Sequence, residues 1–304
     1  MDLFAPHPAS LRQLQYLVAV VETGGFRKAA DACHVSQPSL SAQVAQVERA
    51  FGVQIFERTG RGVRLTAAGD AVIARARQVL LASRDLQDAA RAHADPFEAT
   101  MRIGIIPTVC PYLLPEVTPS LSRRFPKLTI VWTEDRTARL VAEVRGGALD
   151  AAIVALESDL ADLAHRVLTR DAFVLAAAPA HPLMRTTKPT RIQDLAGTRM
   201  LLLEDGHCLR DQAKALCQQA SAPESPGYQA TSLSTLVQMV GAATSKDATL
   251  LPAMALAVEN RRGQLATRKF ASPAPGRTIV IAWRRGSPAE RALQSVAKVL
   301  RAAG

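Results

Sequence analysis

Two of the four cysteines in this 304-residue chain, Cys208 and Cys217, lie nine positions apart, and His207 directly precedes the first. Thiols at such spacing ligate a metal, form a disulfide or react with an oxidant, and the thiolate is the reactive form. A metal is not expected. His207, Cys208 and Cys217 supply three ligands, with no fourth at any usual zinc spacing. Redox chemistry then depends on what lies between the sulfurs. Leu209 to Gln218 contains no Pro or Gly and has helix-forming composition. Nine helical steps of about 1.5 Å set the two backbones roughly 13 Å apart, whereas a disulfide needs Cα atoms within about 7 Å. The two cysteines therefore either never pair or pair by melting the segment between them. Cys208 falls near the helix N-terminus, where free N–H groups and the macrodipole favour a thiolate. The bland alternative is a pair of inert, buried small hydrophobes.

The elements needed to position this segment can be read around it. Leu201, Leu202 and Leu203 read as a short buried strand, and Asp205-Gly206 turns the chain into the helix. From Met101 onward, β-like runs alternate with helical stretches: Met101–Ile106, Val109–Phe125, Leu128–Thr133, Ala138–Gly146 and Ala151–Val154. This alternation predicts a parallel-rich α/β lobe. A second lobe starts near Arg166–Ala178 and includes the cysteine segment, a helix Leu233–Ala243 and a strand Thr249–Leu251. Arg277–Trp283 returns as a strand, and Pro288–Ala302 forms a terminal amphipathic helix on the first lobe. Ligands of such folds sit in the cleft where strand ends and helix N-termini converge. His181, beside Pro182, reads as a surface loop residue.

Composition narrows the class. With 48% hydrophobic and 21% charged residues, the chain reads as soluble and globular. No secretory leader or membrane-length apolar run is recognised, so a cytoplasmic protein without membrane contact is expected. Its thiols are then free at rest. The net charge of +10 suggests a polyanionic partner. It is not concentrated at the N-terminus, since residues 1–94 hold 11 Lys and Arg against 8 Asp and Glu.

The N-terminal third nevertheless reads as a DNA reader. Leu11, Leu14, Val18 and Val21 fall at helical spacing before Gly24-Gly25. A short helix from Phe26 to Ala32 carries Arg27 and Lys28. After a turn at His34-Val35, Ser36 caps a third helix that runs to about Phe51, with Pro38 in its first turn. Ser36, Gln37, Pro38, Ser39, Ser41 and Gln43 form the face offered to base edges and phosphates, while Val44 and Val47 point inward. Gln54–Thr66 reads as a hairpin with Gly60 and Gly62 in its turn and Arg58, Arg61 and Arg64 projecting toward phosphates. A helix-turn-helix with a wing results. From Ala67 to Ala94, a helix capped by Thr66 carries Val72, Ala76, Val79, Ser83, Leu86 and Ala90 in a/d spacing, a dimer seam. Asp95-Pro96 breaks it.

The runs Phe26–Ser41, Phe51–Arg58 and Leu65–Gly69 resemble the LysR-type transcriptional regulators, and the resemblance covers nearly the whole chain. It implies a winged helix-turn-helix (1–66), a linker dimerisation helix (67–95) and a two-lobed, periplasmic-binding-protein-like α/β effector domain (96–304). Lobe I spans about 96–165 and 276–304, and lobe II about 166–275. Double-stranded DNA, a homo-oligomer (dimer, then tetramer) and RNA polymerase are the implied partners, with no cofactor.

Glu204–Gln212 further resembles the sensing segment of the peroxide-responsive members of that family. Ile106–Val109, Pro111–Pro115, Ala230–Leu233, Leu250–Pro252 and Arg285–Pro288 support the match. The resemblance implies Cys208 as the thiol oxidised by hydrogen peroxide and Cys217 as its resolving partner. Thr108, Thr137, His207, Asp211 and Arg277 would complete the pocket, the threonine hydroxyls holding peroxide and His207 a positive or hydrogen-bonding neighbour. Cys110, where these relatives usually carry glycine, and the long approach Gly241–Thr249 depart from the pattern. Cys110 and Cys33 read as packing residues. Two other readings compete: a LysR regulator whose cleft binds a metabolite, and a thiol peroxidase.

Overall fold

The computed structural model describes residues 7–59, 62–92, 97–242 and 247–302. The chain forms two compact units, Met1–Arg91 and Ala92–Gly304.

The first unit is a winged helix-turn-helix. Helix α1 (Leu11–Thr23) starts at a Ser10–Gln13 capping box and ends at Gly24, which takes the left-handed conformation at φ 74°. Its buried face is Leu14, Tyr16, Leu17 and Val20. Leu11, the first of the helically spaced apolar residues, is exposed, because the buried stripe lies one step round from that spacing. Helix α2 (Phe26–Ala32) packs through Ala29 and Ala30. Ser36 caps α3 (Gln37–Phe51), accepting from Ser39 N–H at 3.3 Å, and Leu40, Val44 and Val47 face inward. Strands β1 (Phe56–Thr59) and β2 (Gly62–Leu65) pair antiparallel as the wing. Thr66 Oγ1 accepts from Gly69 N–H at 2.8 Å to open α4 (Ala67–Ala92). Gly69 is required there, since a Cβ would stand 2.2 Å from the Ile55 carbonyl oxygen. Along α4, Ile73 and Ala76 pack into this unit's core, whereas Val79 and Leu86 are exposed. The linker break read at Asp95-Pro96 lies outside the described residues.

The second unit has two cores joined by a mixed sheet of order β4-β3-β5-β9-β6-β7, with β8 also on β6. In the first lobe, β3 (Thr100–Ile105) runs parallel to β4 (Thr129–Glu134) and β5 (Ala151–Ala155). Helices α5 (Cys110–Arg124) and α6 (Thr137–Arg145) cover the sheet. Strand β6 (Leu163–Ala177) is long enough to serve both cores, with Leu163 and Leu168 in the first and Phe173–Ala177 in the second. The second lobe adds α7 (Cys208–Gln219), α8 (Leu233–Gly241), β7 (Ala248–Pro252), the single turn α9 (Leu256–Glu259) and β8 (Ala266–Lys269). Strand β9 (Gly276–Arg284) returns antiparallel between β5 and β6, and α10 (Glu290–Ala302) seals the first core.

Leu201–Leu203 is buried and extended but forms no continuous strand. It is held by isolated bridges, with Leu201 N–H donating to the Ala248 carbonyl at 2.9 Å. His181 departs from its sequence reading: it is buried, and its Nδ1 accepts from Leu183 N–H at 3.2 Å, capping a short 3-10 turn. The approach Gly241–Thr249 lies partly outside the described residues, at 243–246.

A candidate thiol site at converging helix ends

Three loops meet where β3 and β4 end. Ile106, Pro107 and Thr108 come from the β3–α5 loop, Arg136 and Thr137 from the β4–α6 junction, and Gly206, His207 and Cys208 from the approach to α7. Together they line a pocket with an empty volume of about 180 Å³. Helices α6 and α7 both begin on it, Thr137 and Cys208 being their first residues. Helix N-termini carry partial positive charge, which favours an anion.

Cys208 is half-buried, its side chain against the first lobe's core. Cys217 sits two turns and more along α7, 3% exposed, in the second lobe's core with Leu209 and Ala213. Burial, with the Glu224 carboxylate next in size, pushes the Cys217 thiol up to about 11. It is therefore protonated at neutral pH, and its nucleophilicity is withheld while α7 stays folded. All four cysteines are free.

The threonines differ in their partners. Thr108 Oγ1 accepts from Arg277 Nη1 at 2.7 Å, and its carbonyl accepts from Nη2 at 2.8 Å. That leaves the Thr108 hydroxyl proton to donate elsewhere. Thr137 Oγ1 is buried and has no hydrogen-bond partner among the described residues. An unpartnered buried hydroxyl costs about 1–3 kcal/mol, which a small polar guest would recover.

Not every residue picked from the sequence reaches the pocket. Arg277 does not line it. It is fully buried on β9, ion-paired to Asp171 at 3.0 Å, and acts on the pocket by fixing Thr108. Asp211 is exposed on the first turn of α7 and is not part of the lining. His207 is buried, and its basicity is lowered by desolvation first and by the Arg136 charge second. A positive His207 is thereby disfavoured, leaving the hydrogen-bonding role. Unfolded, the imidazole takes up a proton near pH 6.5; folded, it resists doing so. Its stability contribution is complete above that pH and declines as pH falls toward the lowered folded value. The drop in Tm between pH 7.5 and 5.5 is expected to be larger for the native protein than for His207→Gln; equal drops would refute this.

Cys110 opens α5 but is absent from the lining. Burial and then a hydrogen bond to Glu134 push its thiol up to about 12, as befits a packing residue. Arg136 and Gly206 were not singled out as pocket residues by sequence reasoning. Nor was Arg210, whose buried guanidinium binds Asp205, Glu224 and the Leu203 carbonyl. Its spacing was a usable signal: Arg210, Ala213 and Cys217 step by three and four along one helix face, and all three are buried. A larger open groove lies between the C-terminal ends of α5 and α10 and shares no lining residue with the cysteine pocket. The polar, helix-terminal chemistry lies at the smaller pocket.

On the first unit, Arg27, Lys28, Ser36, Gln37, Pro38 and Ser39 are exposed, and Ser41 is half-buried. Gln43 is turned inward, its Oε1 accepting from Gln13 Nε2 at 2.9 Å. Arg64 is exposed on β2. Arg61, Gly60 and the side chain of Arg58 lie outside what the structure describes.

Residues 11–70 match the bacterial regulatory helix-turn-helix proteins of the lysR family, and residues 94–304 match the LysR substrate binding domain. The DNA-binding transcriptional dual regulator OxyR of Escherichia coli K12 is 41% identical over 293 residues, 96% of this chain and 95% of that protein. A full-length OxyR variant from Pseudomonas aeruginosa aligns with a TM-score of 0.77 at 33% identity, covering 98% of this chain and 97% of the other. A hydrogen peroxide-bound OxyR mutant from Corynebacterium glutamicum aligns with a TM-score of 0.66 at 32% identity, covering 98% and 93%.

Proposed function

This chain belongs to the LysR family of DNA-binding transcriptional regulators, and from that premise we propose how it reads hydrogen peroxide: through oxidation of Cys208 and closure onto Cys217. It is a peroxide-sensing regulator of the OxyR kind, not an enzyme. The observation that carries the mechanism is Cys208 at the first position of α7, on a pocket with an orphaned threonine hydroxyl.

The Cys208 thiolate attacks one peroxide oxygen. The O–O bond breaks as the S–O bond forms, the sulfur loses two electrons, and the departing hydroxide takes a proton to become water. Thr108 and Thr137 hold the peroxide, Arg277 holds Thr108, and the helix N-termini stabilise negative charge on the sulfur and on the departing oxygen. Asp211, exposed on the first turn of α7, lies outside the pocket lining in this arrangement.

Closure is a second event. The Cys217 sulfur attacks the sulfenic sulfur, an S–S bond replaces the S–O bond, and hydroxide leaves to be protonated to water. Across folded α7 the two backbones stand roughly 13 Å apart, so the helix must refold. Refolding also brings Cys217 out of the core that keeps it protonated. One event thus removes both the distance and the pKa barrier, and the disulfide traps the altered second lobe.

The wing and the exposed face of α3 grip the DNA backbone and bases. Val79 and Leu86, seven residues apart and exposed on α4, are the seam for a second copy. Dimers pairing into a tetramer, contact with RNA polymerase and a reducing, cytoplasmic setting complete this reading.

Peptide mapping after one equivalent of hydrogen peroxide tests it. A Cys208–Cys217 disulfide is expected. Recovery of both thiols unmodified while peroxide still changes DNA binding would sink the mechanism.

A further inference from the structure

Arg136 lines the pocket from the first lobe, and its guanidinium is ion-paired to Glu204 of the second. Both side chains are partly in water, 48% and 32% exposed, so the pair stands at the mouth rather than the floor. The seat beneath it is built for that side chain. Gly206 has φ +94°, and a Cβ there would lie 2.7 Å from Arg136 Nη1 and 3.1 Å from its Cδ. The other lining groups are held: Ile106 and His207 are buried, and Thr108 is tied to Arg277. Arg136 is the one long flexible side chain in the lining.

We propose that Arg136, drawn across the mouth by Glu204 and seated on Gly206, is the specificity gate that admits hydrogen peroxide to Cys208 and excludes carbon-substituted hydroperoxides. This rests on the peroxide reading of the site given above. The chemistry at sulfur is the same for both oxidants: thiolate and ROOH give sulfenic acid and, after protonation of the leaving alkoxide, ROH. Only the bulk of R separates them. A tert-butyl group adds four carbons to the guest of a pocket with no spare room beside the sulfur, so it must displace the arginine to reach it. An ion pair this exposed is weak, so the guanidinium is only loosely tethered. A small shift of the guanidinium lets hydrogen peroxide reach the sulfur, whereas a carbon-substituted guest leaves its own bulk where the arginine sits and needs that side chain fully withdrawn.

The test measures second-order rates of Cys208 oxidation in the reduced full-length protein, with hydrogen peroxide and with tert-butyl hydroperoxide, by trapping the sulfenic acid. Arg136→Ala is expected to raise the ratio of the tert-butyl hydroperoxide rate to the hydrogen peroxide rate at least tenfold. Glu204→Gln, which frees the arginine without removing it, is expected to raise the ratio about threefold or more. If hydrogen peroxide oxidises Cys208 in all three proteins and both variants stay within twofold of the native ratio, the gate is overturned and the sensing reading stands. In that case the ion pair only staples the lobes. If hydrogen peroxide fails to oxidise Cys208 in the native protein, both fall.

Discussion

Cys208→Ser is expected to abolish the response to hydrogen peroxide while leaving DNA binding intact. A serine hydroxyl is close to isosteric with the thiol, so α7 keeps its first turn and the pocket its shape. It offers no sulfur to accept oxygen. DNA binding survives because the reading face belongs to Met1–Arg91, while the substitution lies in the unit Ala92–Gly304. Cys217→Ser separates the two steps: oxidation at Cys208 continues, but the sulfenic acid persists and, under excess peroxide, passes to sulfinic acid. The buried thiol of Cys217 gives a reason to expect this order, since a group held up to about 11 does not react first. Mass spectrometry of the two variants after peroxide, beside operator-binding isotherms, checks both. A Cys208→Ser protein that still responds normally would transfer the sensing role to another group.

Much of this site was legible in the sequence, for identifiable reasons. Helix α7 could be read from ten residues without Pro or Gly, and it forms with Cys208 at its start and Cys217 inside it. Ser36 caps α3 as its side-chain chemistry requires, and the helix ends at Phe51 as read. Contacts set by the tertiary fold were not legible. Leu11 heads the helically spaced apolar residues, but burial in α1 follows where α2 and α3 pack, and it falls to Leu17 and Val20. Gln43 sits on the reading helix yet is claimed by Gln13, thirty residues earlier. Arg277 carried the right type for the pocket but is withdrawn behind Thr108 by Asp171, 106 positions away. Periodicity assigns a face; it cannot say which distant residue will occupy it.

Arg210→Ala is expected to have the second large effect, loosening the reduced state and speeding disulfide closure. The Arg210 side chain is 5% exposed and ties the start of α7 to the chain on both sides. It donates to Asp205 and the Leu203 carbonyl before the helix, each at 2.7 Å, and to Glu224 after it at 2.7 and 3.2 Å. Unwinding α7 must break this set. Removing one member of a buried pair costs about 3–5 kcal/mol. Asp205 is 85% exposed and Glu224 31%, so water rescues part of that loss, and a cost of about 2–3 kcal/mol is the better expectation. At about 1.4 kcal/mol per tenfold, the helix opens roughly 30- to 150-fold more often. Hydrogen exchange along α7 in the reduced protein should quicken by that factor, and so should the decay of the Cys208 sulfenic acid into disulfide. Arg210→Lys keeps the charge but not the forked geometry that spans Leu203 and Glu224, so it should fall between. If exchange quickens in Arg210→Ala while closure keeps its native rate, helix opening is not what limits the switch. Cys217 would then reach the sulfenic sulfur by a motion that leaves this clamp in place. If closure quickens with exchange, the guanidinium sets how much peroxide the protein tolerates before it changes state.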